Sequence, residues 1–221
     1  MKHNHFSTRK TTCGKIPFYY GGVFHSIEEN SQGVEFFFRS FRKYNYRSQI
    51  IGNHGSGKTT FLIDFVKYIQ HLGYLVNHFT LNDKQCYLPA KFWEYQNSLV
   101  TQFKNCEIDH LPIAVIDGYE QLSLGQKIWL RCSCRKKSKS GLLITTHSAV
   151  WRLPVLLHTK PTYETLHYII GHLFRDTQEI EPPDMTLCRS LFELHQGNIR
   201  NVLLDLYDYY ETTVSDGGFQ E

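Results

Sequence analysis

The sequence predicts an α/β fold with three layers, in which a mainly parallel β-sheet lies between helices and a small helical lid follows at the C-terminus. In residues 48–69, a short apolar strand pattern, a glycine-rich turn and an amphipathic helix pattern follow one another. Two further apolar runs, 111–116 and 142–148, end in polar residues, as strands of a buried parallel sheet do. From Trp151 onward no further strong strand pattern is found, and helical patterns take over.

Composition agrees with a packed domain of this class. Of the 221 residues, 41% are hydrophobic and 20% are charged, which suits one α/β domain with a small appendage. The net charge of +3 does not by itself indicate nucleic-acid binding. No apolar run approaches the roughly 20 residues that a membrane helix needs. Without a secretory signal, we expect a cytoplasmic protein with reduced cysteines and no membrane partner.

Four segments are predicted along the chain. Residues 1–25 form an N-terminal arm with little regular structure, 26–154 the α/β core, 155–211 the lid and 212–221 a frayed tail. Ser26 and Glu29 resemble a capping box at the start of the first helix. The predicted elements are helices over 26–44, 58–72, 91–104, 121–134, 162–174, 184–195 and 197–210, and strands over 48–51, 74–81, 111–116 and 142–148.

The glycine-rich turn carries the most specific motif. Gly52, Gly57, Lys58 and Thr59 match the pattern G-x-x-x-x-G-K-[ST] of a phosphate-binding loop, whereas the competing interpretation is a glycine turn without a ligand. Glycines let backbone N–H groups approach a triphosphate, Lys58 supplies a charge to the β- and γ-phosphates, and the Thr59 hydroxyl suits Mg²⁺. The residues expected to hold the phosphates are Gly52, Asn53, His54, Gly55, Ser56, Gly57, Lys58, Thr59 and Thr60.

The apolar run 111–116 delivers Asp117-Gly118-Tyr119-Glu120 at its end. An Asp in this place is the Walker B arrangement, in which the carboxylate reaches the Mg²⁺ shell from the strand beside the phosphate loop. A helix N-cap is the alternative role for Asp117. Glu120 is the candidate for polarising the attacking water, with a capping or surface carboxylate as its alternative.

The run 142–148 ends in Thr146 and His147, which would face the γ-phosphate if the sheet is parallel, and which otherwise form a structural strand end. The basic stretch 135–139 could contact nucleic-acid phosphates, although a solvated turn is the favoured interpretation.

Taken together, these motifs resemble the AAA+ and STAND branches of the P-loop NTPases. STAND proteins often carry an Asp-Gly-x-Asp form of Walker B, and Glu120 occupies the second acidic position here. They often end the sensor strand in Thr-Thr-Arg, where this chain has His147. The turn Gly197-Asn198-Ile199-Arg200 looks like the sensor-two region, which implies that Arg200 approaches the γ-phosphate. The adjacent Asp-Glu pair of AAA+ proteins is absent, and no arginine finger stands out among Arg131, Arg135 and Arg152.

The resemblance implies an ATP-binding ATPase that hydrolyses ATP with Mg²⁺ to switch conformation or assembly, with a protein partner or self-assembly. ATP is preferred to GTP because no Asn-Lys-x-Asp motif is found. The alternatives are a non-catalytic nucleotide-gated interaction module and a small-molecule kinase. A kinase is less favoured because Arg175, Arg189 and Arg200 are too widely spaced for an arginine-rich lid.

Overall fold

The computed structural model describes residues 18–20, 23–25, 31–82, 86–105, 111–133, 140–174 and 181–216. Its elements in chain order are β1 (Phe18–Tyr20), β2 (Val23–His25), α1 (Ser31–Lys43), β3 (Arg47–Gly52), α2 (Lys58–His71), β4 (Val76–Thr80), α3 (Ala90–Asn105), β5 (Ile113–Asp117), a 3₁₀ turn (Tyr119–Gln121), α4 (Leu124–Ser133), β6 (Gly141–Thr146), β7 (Val155–Thr159), α5 (Tyr163–Phe174), α6 (Met185–Leu194) and α7 (Ile199–Asp216). Two compact units are present: one takes in the described residues within 27–52 and 58–159, and the other those within 1–26, 53–57 and 160–221.

The larger unit is built on a five-stranded sheet with the order β4-β5-β6-β3-β7. All of its strand pairs are parallel, as the sequence predicted. One expectation is corrected. The strand that ends in Asp117 does not lie beside the strand that enters the glycine loop, because β6 pairs with both of them and separates them. The pattern of each strand predicts its burial but not its neighbours, so this order could not be read from the sequence.

The central strands β5 and β6 lie in the middle of the sheet and are mostly apolar on both faces. Every residue of β5 and β6 is buried, which requires helices on both sides of the sheet. On one side, Leu130 of α4 and Phe92 of α3 join Ala114, Ile116 and Leu142 in one core cluster. Each fully buried aliphatic side chain of this kind contributes roughly 1.5–3 kcal/mol to folding.

An aromatic seam joins α1 and α2. Phe41 and Phe65 are fully buried and meet edge to face, with ring centroids 5.7 Å apart. Phe38 is also buried, so α1 turns an apolar face to the core. The helix is described from Ser31, and the capping box predicted at Ser26 and Glu29 lies outside the described residues.

The prediction that no strand follows Trp151 was wrong. β7 pairs in parallel with β3 at the edge of the sheet, so residues 155–159 belong to the sheet and not to the predicted lid. The run is only five residues long and has a partner on one side only, which leaves a weak pattern in the sequence. The buried Gln49 holds the segment before β7. Its Nε2 donates to the carbonyls of Val150 and Leu153, and the Val150 N–H donates to Gln49 Oε1 at 2.7 Å.

The helix predicted over 121–134 begins later than expected. Residues 119–121 form the 3₁₀ turn, and α4 starts at Leu124. Gly118 leads into this turn with φ +83°, and an added Cβ would lie 3.1 Å from the Leu81 carbonyl oxygen. A residue with a side chain would therefore be both strained and crowded at this position.

The second unit contains α5, α6 and α7, which enclose a core of Leu166, Ile170, Cys188, Val202 and Leu206. The antiparallel pair β1–β2 also belongs to it, which corrects the expectation of little regular structure in the N-terminal arm. Helix α7 continues to Asp216, beyond the predicted end at residue 210 and into the predicted tail. None of the helices in the described part of the chain combines the length and apolar character required to cross a bilayer.

Candidate nucleotide-binding site

The glycine-rich turn joins the end of β3 at Gly52 to the start of α2 at Lys58. Gly55 and Gly57 have φ values of +68° and +89°, in the left-handed region that favours glycine. Asn53 and His54 are exposed and Ser56 is half-buried. Thr59 and Thr60 lie in the first turn of α2, where the helix has unsatisfied N–H groups and partial positive charge. This local geometry suits an anion.

Within the smaller unit, Gly55 meets the start of α7. An added Cβ at Gly55 would lie 1.9 Å from Asn198 Oδ1 and 3.2 Å from the Cβ of Arg200. Asn198 Oδ1 also accepts a hydrogen bond from the Asn201 N–H at 3.3 Å and so caps the first turn of α7. Gly55 is therefore required by this close approach as well as by its φ angle. The Cβ of Arg200, the predicted sensor residue, lies beside the turn, and the residue is exposed.

Within the larger unit, three predicted residues form one chain of polar contacts. The buried Lys58 donates from Nζ to the Gly52 carbonyl at 2.7 Å, and His147 Nδ1 donates to the same oxygen at 2.9 Å. Nζ and Nδ1 lie 3.3 Å apart, side by side on this acceptor. His147 Nε2 lies 2.9 Å from Glu120 Oε1.

The second oxygen of Glu120 has a different environment. Glu120 Oε2 is buried and has no hydrogen-bond partner in the described part of the chain. A buried polar oxygen without a partner is costly, and such groups mark places where a water or ligand completes the site. The main-chain carbonyl of Glu120 accepts from Lys127 Nζ at 3.0 Å, which holds the turn that carries this residue.

Asp117 ends β5 and is 5% exposed. Its Oδ1 accepts a hydrogen bond from the Thr145 hydroxyl, which in turn accepts from the Gly118 N–H at 2.8 Å. Thr145 was missed by sequence reasoning, which selected Thr146 instead. The hydroxyl of Thr146 donates to the Ser148 carbonyl at 3.0 Å and so braces the end of its strand. Only the pairing of Ile116 with Ile144 reveals that Asp117 comes level with Thr145.

The donor set fits Mg²⁺ bound together with phosphates. The Thr59 hydroxyl and the Asp117 carboxylate are hard oxygen ligands, and Mg²⁺ usually takes one or two carboxylates, with phosphate oxygens and waters as its other ligands. The described residues include no group of three or more His, Cys, Asp and Glu that could hold a metal, and a site of this kind does not need one.

Burial lowers the pKa of His78 on β4, and the negative charge of Asp117 partly offsets that shift.

No family model and no curated protein matches the chain. Among solved structures, Cdc6p from Pyrobaculum aerophilum is similar with a TM-score of 0.62 and 12% sequence identity, and the match covers 98% of this chain and 67% of that one. A variant of RuvB from Thermotoga maritima matches with a TM-score of 0.43 and 12% identity over 82% of this chain and 68% of that one. The likeness to Cdc6p and the all-parallel sheet confirm the predicted α/β fold.

Proposed function

We propose that the chain is an ATP-binding P-loop ATPase of the AAA+ or STAND type, which hydrolyses ATP with Mg²⁺ to switch conformation or assembly. The observation that carries the proposal is the chain of contacts from Lys58 through His147 to Glu120 beside the Gly52 carbonyl. These are the residues that the sequence selected for phosphate binding, γ-phosphate sensing and water activation. The protein is proposed to act in the cytoplasm with a partner protein or with further copies of itself.

Lys58 is the residue that would exchange partners. A bond from an ammonium to a phosphate is charge-assisted on both sides and is stronger than its present bond to the neutral Gly52 carbonyl. When Lys58 turns to a phosphate, the Gly52 carbonyl keeps His147 Nδ1 as a donor and is not left unpaired. The exchange therefore costs little, and His147 stays in place.

Glu120 would hold the attacking water through Oε2, which is the oxygen without a partner, while His147 fixes the carboxyl through Oε1. The carboxylate would accept the proton of that water as it attacks. Bound Mg²⁺ would supply charge neutralisation to the phosphates, held by Thr59 and by Asp117 through water. Loop N–H groups, Lys58 and Arg200 would stabilise the charge on the transferring phosphoryl group, with Thr146 and His147 reporting its presence.

Two substitutions test this assignment. Lys58→Ala is expected to abolish binding of a fluorescent ATP analogue, because it removes the only cation of the loop motif. Glu120→Gln is expected to keep ATP binding. In an assay that contains no phosphoryl acceptor, it should lower the rate of phosphate release from ATP by at least about 100-fold, since a general base contributes about 10²–10⁴-fold. Asp208→Asn, an exposed carboxylate of α7, is the matched control and should leave both quantities unchanged. Phosphate release by Glu120→Gln at the unmodified rate contradicts the catalytic role.

A non-catalytic nucleotide-gated module is the second candidate. It is favoured by one observation: His147 already occupies one oxygen of Glu120, so the carboxyl is engaged before any water is positioned. Under this candidate Lys58→Ala still abolishes binding, but the unmodified chain releases no phosphate above background. A small-molecule kinase would also release no inorganic phosphate; it would form ADP only after an acceptor is added, because the acceptor takes the phosphoryl group. The molecular size measured with and without ATP and Mg²⁺ then shows whether the nucleotide controls assembly.

A further inference from the structure

Charge is strongly segregated in the second half of the larger unit. From Gln121 to Tyr163 the sequence contains no Asp or Glu, although the whole chain has 21 of them against 24 Lys and Arg. The same stretch carries the basic residues Lys127, Arg131, Arg135, Lys136, Lys137, Lys139, Arg152 and Lys160. Strands β6 and β7 have no Lys or Arg. Among the described residues of this stretch in the larger unit, the basic side chains therefore lie on α4 and on the loop 148–152.

Helix α4 places apolar side chains in solvent next to these charges. Leu130 is fully buried in the core, but Ile128 and Trp129 are 57% and 49% exposed. The Trp129 ring meets the edge of Trp93 on α3, with centroids 3.8 Å apart. Contiguous exposed apolar groups rimmed by polar ones mark interaction surfaces in soluble proteins.

The loop 148–152 adds a second exposed indole. Trp151 is 71% exposed, and the guanidinium carbon of Arg152 lies 4.0 Å from the centre of its ring. Arg131 of α4 donates from Nη2 to the Trp151 carbonyl at 2.7 Å, which joins the loop to the helix. Val150 before it is held by the buried Gln49. The ring is therefore presented to solvent on a backbone that is fixed from two sides.

We propose that this surface binds single-stranded nucleic acid. It is called the tryptophan face below and consists of Lys127, Arg131, Trp151 and Arg152; Lys127 and Arg131 are four residues apart on α4, and Arg131 holds the Trp151 carbonyl. Positive charge in a stretch of sequence without Asp or Glu selects a polyanion, and the exposed indole ring of Trp151 selects unpaired bases that can stack on it. A duplex hides the faces of its bases and would use only the charges. The proposal does not depend on the proposed ATPase activity, because oligonucleotide binding is measured without ATP; Lys127 also holds the turn that carries Glu120 and is therefore not substituted in the test.

The chain provides its own reporter, since its three tryptophans are Trp93, Trp129 and Trp151. We would titrate the full chain with a 20-nucleotide oligothymidylate and follow tryptophan fluorescence together with the anisotropy of a labelled oligonucleotide. Binding is expected to quench the fluorescence and to weaken as salt rises. A duplex of equal length is expected to bind more weakly and to quench less.

Trp151→Ala is expected to weaken binding roughly 10-fold to 100-fold, the range for losing one base-stacking platform. Arg152→Asn removes one cation and should lower the slope of log affinity against log salt by about 0.7 for a single strand. Asparagine is chosen because residue 152 has φ +61°, a conformation that asparagine tolerates. Phe36→Ala on α1, with 65% exposure, is the matched aromatic control, and Lys67→Ala on α2 is the charge control.

An unchanged urea unfolding midpoint for each variant shows that its fold is intact. The proposal is overturned if the oligonucleotide does not quench the tryptophans, if Trp151→Ala binds as well as the unmodified chain, or if the duplex binds more tightly. It is also overturned if no oligonucleotide binds while Trp151→Ala dissociates a complex between copies of the chain, because the face is then a protein interface.

Discussion

Replacing Thr145 with valine tests whether this hydroxyl holds Asp117. Valine has nearly the same shape, so the change removes two hydrogen bonds without opening a cavity. Thr145 is 1% exposed and Asp117 is 5% exposed, so water cannot readily replace the lost partner. Losing a bond to a charged group costs about 1.5–3 kcal/mol and losing a neutral one costs about 0.5–1.5 kcal/mol. We therefore expect the free energy of unfolding to fall by about 2–4 kcal/mol.

The neighbouring residue offers a matched control. Thr146 is also buried and lies on the same strand, but its hydroxyl makes one neutral hydrogen bond, to the Ser148 carbonyl. Thr146→Val should cost about 0.5–1.5 kcal/mol. Urea denaturation of both variants, with unchanged dependence on denaturant concentration, gives the two values. Equal losses for the two variants, or a loss below about 1 kcal/mol for Thr145→Val, would refute the reasoning.

Three further predictions concern the turn, the sheet edge and a thiol. Gly55→Ala should destabilise the chain by about 1–2 kcal/mol through its φ of +68°, and by about 1 kcal/mol more because its Cβ displaces the cap Asn198. In an Asn198→Ala background the second part should vanish, and an unchanged cost in a thermal melt would contradict the contact. Gln49→Leu should lower the free energy of unfolding by about 3 kcal/mol, because three hydrogen bonds to Val150 and Leu153 are lost. A urea midpoint like that of the unmodified chain would contradict this role. Burial raises the pKa of Cys188 to about 11, so at pH 8 a thiol reagent should label the exposed Cys86 in the native chain and Cys188 only on unfolding. Equal labelling rates would show that the helical core opens readily.

Local features were predicted well where neighbouring residues carry the signal. The strand, glycine turn and helix around Gly52 and Lys58 are consecutive in the chain, and the structure confirms all three elements. The buried run before Asp117 is confirmed for the same reason. The roles assigned to these side chains stay predictions. Element ends were less accurate, since the 3₁₀ turn at 119–121 and the late start of α4 depend on the close approach of Gly118 to Leu81.

The sequence by itself determined the α/β class, the glycine-rich turn and the residues that could bind a nucleotide, because hydrophobic period and turn chemistry are short-range properties. Only the tertiary structure decided the strand order, the edge strand β7, the partner of Asp117 and the contacts of Lys58, His147 and Glu120. These depend on which strands pair and in what register. That choice is made by the packing of distant segments, and a single sequence does not record it.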